Sequence, residues 1–510
     1  MQTMRAALLI GCMSFIGVGG IAQTFNARYD LLGLGLPQTA KGLRQVSGDF
    51  VVIEASIHLD TIAPDTVVYT WVIGLSRLDA YGALVNDSKL QIPAHGLYAG
   101  WANCCDTTED HGIVIGGTIE SYDGVAEVFL VRFNNAGDTL WTRRFGSSGD
   151  YWSGRQVKQT SDSGFVIVGD TDASGGVDAF VIKTDSLGNE EWRETYGNGL
   201  GESFISVEPL PDGGYVLGGI KELGSSNTDH WIVRVDSLGG IMWQKNWGTA
   251  MDDNSAHSFL LADGNIAMAS NTGYGPNYHP ARPYLAKVNV SDGSIIWDGE
   301  YGPAYNSTTF FAVKERPNGD WISCGVTYED NEQQGLMLRT TANGDSIWMR
   351  NFWYYDSLIE YGNGRFYDVL PTDDGGFIAA GATYAQFDAG YPPGYSQDAW
   401  VVKVDSMGCI VPGCDGVGVS EIVTNLGNAL TVFPNPAHGQ VQVQVDLPRT
   451  LNNTVDLKLT LVNAAGQVAL AQAAQVGSNT VDLGALSAGV YYMHLSSNTT
   501  WLSGTKLMVE

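Results

Sequence analysis

Five tryptophans stand about 51 to 54 residues apart, each a few residues after a glycine-containing turn; they are Trp141, Trp192, Trp243, Trp297 and Trp348. The stretch "VDSLGGIMWQKNWG", from Val235, is representative. A carboxylate, a glycine turn and an indole could form an ion site or a platform for a cofactor. The same residues suit a connection between strands, because aspartate bonds its own following backbone and glycine adopts positive φ. A catalytic residue is needed once and a folding residue in every repeat, so we predict that these tryptophans are structural.

A basic residue lies five or six residues before each turn glycine, at Arg77, Arg132, Lys183, Arg234, Lys287, Arg339 and Lys403. One interpretation is a ring of positive charge around an axis, able to hold an anionic ligand. The other is a set of ion pairs between repeats, because aspartates recur nearby at Asp79, Asp185, Asp236 and Asp405. Burial of a charge is costly unless the charge is paired, so we predict structural ion pairs.

The six cysteines contain two pairs that are close in sequence. Cys409 and Cys414 flank the turn-forming "IVPG", which predicts a local disulfide in an oxidising compartment. The adjacent Cys104 and Cys105 could form a vicinal disulfide, but we favour two unbridged thiols. No cysteine–histidine spacing resembles a zinc site.

Motifs typical of catalysis are absent from the sequence: there is no GxSxG, no GxxxxGK[ST] and no HExxH. Asp and Glu together number 55, so a carboxylate pair for glycoside hydrolysis cannot be picked out. The Tyr-, Pro- and Gly-rich stretches 271–284 and 383–398 could stack on sugars, grip a protein, or only cover strand edges. We predict no catalytic residue and no cofactor, and leave calcium open as a ligand.

The charge balance and the N-terminus predict export. A net charge of -28 on 510 residues would repel nucleic-acid phosphates and anionic lipid headgroups. Arg5 precedes an apolar run and small residues up to Ala22, which predicts a signal peptide over residues 1–22. No later apolar stretch approaches the ~20 residues that a membrane-spanning helix needs.

The repeat predicts an all-β fold. Each unit of about fifty residues contains a strand before a glycine turn, two apolar strands and a tryptophan strand, which is typical of a β-propeller blade. A weaker first copy, with Leu84 where the tryptophan would be, brings the number of units to seven within residues 23–415. The last unit lacks its fourth strand, and "TFNARYDLLG" resembles one. We therefore predict that residues 25–32 close the final blade, which removes exposed sheet edges.

The C-terminal region has a different composition. A Gly/Val/Asn-rich linker at 416–427 precedes alternating apolar residues at 428–510, which predict a small β-sandwich. This region resembles the type A C-terminal sorting domain of the type IX secretion system of Bacteroidota, through "PNP" (Pro434, Asn435, Pro436), "NAAGQ" with Gly466, and "LSAGVYYMHL" with Gly489 and Tyr491. The resemblance implies recognition by the type IX machinery after passage through the periplasm, then removal of the domain and release or surface attachment.

Three functional classes fit this organisation. The Asp–Gly–Trp order resembles the tryptophan-docking box of quinoprotein propellers and, with wider spacing, the Asp-box of sialidases. We predict a secreted or surface-displayed, non-catalytic propeller that binds a glycan or a protein. The alternative is a secreted enzyme on the same scaffold, either a quinoprotein-like dehydrogenase or a polysaccharide-active hydrolase; a self-associating surface-layer protein is a third.

Overall fold

The computed structural model describes residues 24–29, 37–63, 66–147, 149–224, 227–274, 281–303, 307–329, 332–354, 362–385, 397–410, 429–447, 457–463, 468–497 and 500–510. The regular secondary structure of these residues is entirely β-strand. The predicted signal peptide, the predicted linker, Cys414 and Gly466 lie outside the described residues.

The region up to residue 410 forms seven sheets, numbered here as blades in chain order. The N-terminal strand is β1 (Phe25–Tyr29), and blade 1 consists of β2 (Gln38–Val46), β3 (Asp49–Ala63), β4 (Thr66–Leu78) and β5 (Leu84–Leu90). Blade 2 consists of β6 (His95–Ala99), β7 (Cys105–Thr107), β8 (Ile113–Ser121), β9 (Ala126–Phe133) and β10 (Thr139–Phe145). Blade 3 consists of β11 (Trp152–Gln159), β12 (Phe165–Thr171), β13 (Asp178–Thr184) and β14 (Glu190–Tyr196).

The remaining blades repeat the same order. Blade 4 consists of β15 (Ser203–Pro209), β16 (Tyr215–Glu222), β17 (Thr228–Val235) and β18 (Ile241–Trp247), and blade 5 of β19 (Asp252–Leu260), β20 (Ile266–Tyr274), β21 (Arg282–Val288) and β22 (Ile295–Glu300). Blade 6 consists of β23 (Thr308–Glu315), β24 (Trp321–Glu329), β25 (Glu332–Thr340) and β26 (Ser346–Phe352). Blade 7 combines β27 (Gly362–Pro371), β28 (Phe377–Ala385) and β29 (Gln397–Val404) with the N-terminal β1.

The first strands of the blades form a closed inner ring. Contacts run from β2 to β7, then through β11, β15, β19, β23 and β27, and from β27 back to β2. In blade 3, β12 and β13 are buried at every position, whereas the outermost β14 is largely exposed. Strands buried on both faces are expected to be continuously apolar, as "FVIVG" and "AFVI" are. The seven-bladed propeller predicted from the repeat is confirmed.

The N-terminal strand closes the ring, as predicted. β1 pairs with β29, with Phe25 opposite Lys403. The Tyr29 hydroxyl donates a hydrogen bond of 2.6 Å to the carbonyl of Gly82 in blade 1. Equivalent bonds of 2.7 Å join Tyr196 to Gly239 and Tyr301 to Gly344 between other neighbouring blades. The joint between blade 7 and blade 1 therefore has the same tyrosine–glycine hydrogen bond as two joints between other neighbouring blades.

The C-terminal region forms two further sheets, of order β30-β31-β34 and β33-β32-β35-β36. Their strands are β30 (Leu430–Phe433), β31 (Gln440–Val445), β32 (Leu457–Asn463), β33 (Val468–Ala474), β34 (Gly477–Asp482), β35 (Gly489–Ser497) and β36 (Thr500–Val509). Buried side chains of both sheets, such as Val443 and Leu459, belong to one hydrophobic core.

The motif residues of this region lie at strand ends. Asn435, between Pro434 and Pro436, donates to the carbonyl of Lys506 (2.7 Å) and accepts from the Met508 N–H (2.9 Å), so it ties the turn after β30 to β36. Gly489 begins β35, and the Tyr491 hydroxyl donates to the Ser487 carbonyl at 2.9 Å.

Candidate ligand-binding site

The inner strands share one irregularity at the same level. In five blades the pairing between the first and second strands skips a single residue, which is the mark of a β-bulge. The skipped residues are Lys41, Arg155, Ile205, Phe311 and Tyr367. Blade 5 skips two positions, between Asn254 and His257. The ring of inner strands surrounds a central channel. Because a bulge re-aims a side chain, it can direct residues of the inner strand toward one end of this channel, which we call its mouth.

Glycines in the second strands permit these bulges. A Cβ on Gly325 would lie 1.8 Å from the carbonyl oxygen of Thr309, and one on Gly381 would lie 1.8 Å from that of Arg365. Gly169 and Gly219 meet the inner strands of blades 3 and 4 in the same way, at 1.8 and 2.0 Å. Any side chain at these positions would collide with backbone, so glycine is the residue that lets the two strands approach.

Blade 2 departs most from the pattern. Its inner strand is divided into β6 and β7, and residues 100–104 form a loop between them. This loop carries Trp101, which makes edge-to-face contacts with Phe311 of blade 6 and Tyr367 of blade 7, at centroid distances of 6.4 and 6.2 Å. The Asn103 N–H donates to the carbonyl of Lys41 at 2.9 Å and so anchors the loop to blade 1. Trp101 therefore extends from blade 2 to the opposite side of the ring.

A cavity of about 440 Å³ lies at this end of the channel, between blades 1, 2, 3 and 7. Five aromatic side chains line it: Trp71, Tyr98, Trp101, Tyr151 and Tyr367. Trp101 is 40 % exposed and Tyr151 47 % exposed, so aromatic surface remains open to solvent. A neighbouring cavity of about 200 Å³ shares Trp71 and Tyr98 with the first and adds Tyr69 and Tyr122. Together they form an aromatic groove.

The charged groups of the cavity are Lys41, Arg155 and Glu120. The Lys41 ammonium lies 3.9 Å from the ring centroid of Tyr367 and 4.9 Å from that of Trp101. Arg155 Nε donates to Asp170 Oδ1 at 2.8 Å. Burial, together with a hydrogen bond to Glu120, raises the pKa of Tyr98, so this phenol stays protonated at neutral pH. The lining thus combines aromatic faces with fixed hydrogen-bond donors and one carboxylate.

A second layer of charged side chains links the inner strands further along the channel. We call this layer the inner charge ring; its members are Arg44, Asp106, Lys158, Glu208, Lys314 and Asp368. Arg44 Nη1 lies 2.8 Å from Asp368 Oδ2, between blades 1 and 7, and Lys158 Nζ lies 3.2 Å from Glu208 Oε1, between blades 3 and 4. Burial lowers the pKa of Lys314 to about 8. These interactions tie neighbouring blades together at the axis.

The predicted tryptophans lie on the fourth strands, away from the cavity. Each sits opposite a predicted basic residue and packs against the turn glycine of the next blade, where a Cβ would come within 2.7 to 3.1 Å of the ring. The glycines are Gly188, Gly239, Gly293, Gly344 and Gly408. In blade 7, Phe25 takes this place against Gly82. The assignment of Leu84 to this place in blade 1 was wrong by two residues, because Asn86 is opposite Arg77.

The seven basic residues lie at the other end of the blades from the cavity, each in an ion pair with an aspartate of its own blade: Arg77–Asp49, Arg132–Asp110, Lys183–Asp162, Arg234–Asp212, Lys287–Asp263, Arg339–Asp320 and Lys403–Asp374. The aspartates that the sequence predicted as partners of these bases form hydrogen bonds elsewhere. Asp236, for example, accepts from the N–H groups of Leu238 and Gly240 at 2.9 and 2.8 Å, within its own turn. The partners therefore differ from those expected, and the pairs lie within blades.

The pH dependence of stability should reflect these pairs. Burial opposes ionisation of Asp162, but hydrogen bonds from Lys183 and Thr160 lower its pKa from 3.8 to about 2. A depressed pKa contributes stability above pH 4 that is lost as the pH falls toward 2. We expect the melting temperature of Asp162→Asn to fall less between pH 4 and pH 2 than that of the wild type, measured by circular dichroism. Asp87→Asn, at an exposed position, is the control; an equal fall in Asp162→Asn and wild type would contradict the prediction.

The structure describes both cysteines of one pair but only one cysteine of the other. Cys104 and Cys105 are buried, unbridged thiols. Cys414 is outside the described residues, so its disulfide with Cys409 stays a prediction. Within the described ranges no three His, Cys, Asp or Glu side chains come together as a metal site. The described residues contain no helix with the length and apolar character to span a membrane.

The residues that form the cavity were not among those predicted from the sequence. Of the two aromatic-rich stretches, only 383–398 contributes a described residue to the 440 Å³ cavity, Gln397, and parts of both stretches lie outside the described residues. A signal was present in the paired glycines of "VIGG" and "VLGG", because a glycine inside an apolar strand often marks a bulge.

The fold defines a β-propeller followed by a smaller β-domain, and the comparison of families identifies that domain. Residues 431–510 match the secretion system C-terminal sorting domain. The chain is thus exported by type IX secretion, to the cell surface or beyond it, which agrees with an origin in Bacteroidota. No curated protein matches the chain in sequence.

Several solved structures are similar to the chain at low identity. One is PorZ, described as an essential bacterial surface component of the type-IX secretion system of Porphyromonas gingivalis (10 % identity, TM-score 0.33, 92 % of this chain and 75 % of that chain). A protein of unknown function from Dyadobacter fermentans is similar at 9 % identity, TM-score 0.43, over 76 % and 98 % of the two chains. A variant of the NanB sialidase of Streptococcus pneumoniae is similar at 10 % identity, TM-score 0.41, over 60 % and 67 %.

Proposed function

We propose that this exported propeller is a non-catalytic binding protein that takes an oligosaccharide into the aromatic groove at the mouth of its channel. The observation that carries the proposal is the 440 Å³ cavity lined by five aromatic side chains, with a second cavity continuing from it. Its volume falls within the ~300–1,000 Å³ of typical small-molecule sites.

The chemistry of the lining supports a saccharide. Sugar rings have an apolar C–H face that packs on aromatic rings and hydroxyl groups that need hydrogen-bond partners. Trp101 and Tyr151 offer partly exposed rings, while Arg155 and Glu120 offer a donor and an acceptor. A protein ligand would be expected to use a broader and flatter surface than this concave groove.

The charged groups of the groove favour binding over hydrolysis. Glycoside hydrolysis generally uses two carboxyl groups on either side of the scissile bond. Among the described residues that line the 440 Å³ cavity, Glu120 is the single carboxylate, and it is engaged by Tyr98. This supports the proposed absence of catalysis, which the release of reducing sugar would contradict.

Maturation belongs to the same proposal. Cleavage after Ala22 would release the chain into the periplasm, where a disulfide between Cys409 and Cys414 would form at the end of the propeller. The type IX machinery would then recognise the C-terminal domain and translocate the chain. Mass spectrometry of the secreted protein under non-reducing conditions would detect both the cleavage and the bridge.

The binding test compares the full-length protein with Trp101→Ala on an oligosaccharide array, followed by calorimetry with the best ligand. We expect Trp101→Ala to lose about tenfold in affinity, which is the upper range of a single aromatic contact. Tyr328→Ala removes an aromatic side chain of similar exposure (39 %) away from the cavity and should bind like the wild type. Binding of a protein but of no oligosaccharide, or equal affinity of Trp101→Ala and wild type, would overturn the proposal.

A further inference from the structure

We infer that the ligand is an acidic oligosaccharide, whose carboxylate is bound by the Lys41 ammonium and the Arg155 guanidinium in the aromatic groove. This inference rests on the proposed function and names the class of saccharide. Its basis is the arrangement of charge around the cavity.

Lys41 is held in place by aromatic rings and not by an acid. Its ammonium lies over Tyr367 and Trp101, at 3.9 and 4.9 Å from the ring centroids. Within the part of the chain that the structure describes, no aspartate or glutamate forms an ion pair with it. The bulge of β2 is what turns this side chain toward the cavity, since Lys41 is the residue skipped between Ala40 and Gly42. A positioned cation with no counter-charge leaves hydrogen-bond donors for a ligand.

Arg155 is oriented from one side and open on the other. Its Nε is bound by Asp170 Oδ1 at 2.8 Å, and the same Asp170 oxygen accepts from the Ser203 hydroxyl at 2.9 Å. The side chain is 31 % exposed and lines the cavity. The salt bridge therefore orients the guanidinium, and none of the described residues accepts a hydrogen bond from its terminal N–H groups. A fixed guanidinium is well suited to a carboxylate because its donors match the two oxygens.

The local charge has the opposite sign to the chain as a whole. The chain carries a net charge of -28, yet the 440 Å³ cavity is lined by two cations and one carboxylate, Glu120. A neutral sugar that filled the groove would remove water from Lys41 without supplying a counter-charge, which is unfavourable. A cationic ligand would compete with Lys41, which already occupies the space over the Trp101 and Tyr367 rings. A carboxylate-bearing sugar satisfies both the rings and the cations.

The test uses the full-length protein and an array of uronic-acid oligosaccharides, each beside its carboxyl-reduced neutral counterpart. We expect the acidic member of the best pair to bind at least tenfold more tightly, with an affinity that falls as salt is raised. Lys41→Met and Arg155→Gln should each reduce this preference for the acidic member severalfold, and Lys41→Met should bind the neutral member at least as tightly as the wild type does, because the cost of desolvating the ammonium is gone. Lys41→Arg should restore part of the preference, and unchanged melting temperatures would show that the variants fold.

The outcomes separate the two proposals. Trp101→Ala should weaken acidic and neutral sugars alike, because it removes the stacking surface. Equal binding of acidic and neutral counterparts, or a preference that Lys41→Met leaves intact, would overturn the acidic ligand while the proposed function stands. Binding of neither member of any pair, and of no other oligosaccharide, would mean that the proposed function itself fails.

Discussion

Gly325→Ala is expected to prevent stable folding of the propeller. The added Cβ would lie 1.8 Å from the carbonyl oxygen of Thr309, which belongs to the neighbouring strand of the same sheet. Overpacking of a core usually costs about 1–3 kcal/mol, and a clash with backbone belongs at or above the upper end of this range. We expect a loss of at least about 3 kcal/mol, measured as a lower denaturant midpoint followed by tryptophan fluorescence, or no soluble protein.

Gly299→Ala is the matched control, because Gly299 also lies in a strand. A Cβ there would be 3.4 Å from its nearest neighbour, the Tyr301 hydroxyl, which is an ordinary contact. We expect this variant to fold with nearly wild-type stability. A Gly325→Ala protein as stable as Gly299→Ala would mean that the bulge between Phe310 and Ala312 can relax, and that the glycines do not determine it.

Asp368→Asn is expected to be the most damaging of the conservative charge changes. Asp368 is fully buried and accepts from Arg44 Nη1 at 2.8 Å and from the Leu43 N–H at 3.0 Å. The substitution keeps the size of the side chain but leaves the Arg44 guanidinium without its closest counter-charge. Removing one partner of a buried ion pair typically costs about 3–5 kcal/mol. Asp106 lies 3.9 Å from Arg44, so we expect about 3 kcal/mol by denaturant unfolding.

The double variant Arg44→Met/Asp368→Leu tests the physical reason. It removes both charges, so it should be more stable than Asp368→Asn alone, since replacing a buried pair with apolar residues is often neutral. If the single and double variants are equally destabilised, the loss comes from packing at the joint between blades 1 and 7, and the charge explanation is wrong.

The sequence predicted the parts of the fold that repeat or act locally. The fifty-residue period, the glycine turns and the missing last strand were enough to predict seven blades and their closure by residues near Phe25. Closure was predictable because β1 must replace a strand of known pattern. The structure places Phe25 opposite Lys403, so Phe25 occupies the position that a tryptophan occupies opposite the basic residue in other blades. The wrong assignment of Leu84 has a simple cause: β5 contains no tryptophan that would fix its register.

The partners of the seven basic residues were harder to predict. Asp185 and Asp236 stand closest in sequence to Lys183 and Arg234, but their carboxylates are used by N–H groups of their own turns. The bases instead reach the turn between the first two strands, 19 to 29 residues earlier in the chain. Spacing along the chain does not show which of two nearby acids faces a base across a twisted sheet.

By itself, then, the sequence determined the architecture of the repeat, the N-terminal closing strand and the export domain, because these depend on local turn chemistry and on motifs read in order. Only the tertiary structure decided where a ligand could bind. Lys41, Trp101, Arg155 and Tyr367 come from four different blades and share no motif. Lys41, Arg155 and Tyr367 lie at bulges of their inner strands and Trp101 on the loop that divides the inner strand of blade 2. They meet because the ring closes, and closure arises from contacts between residues far apart in sequence.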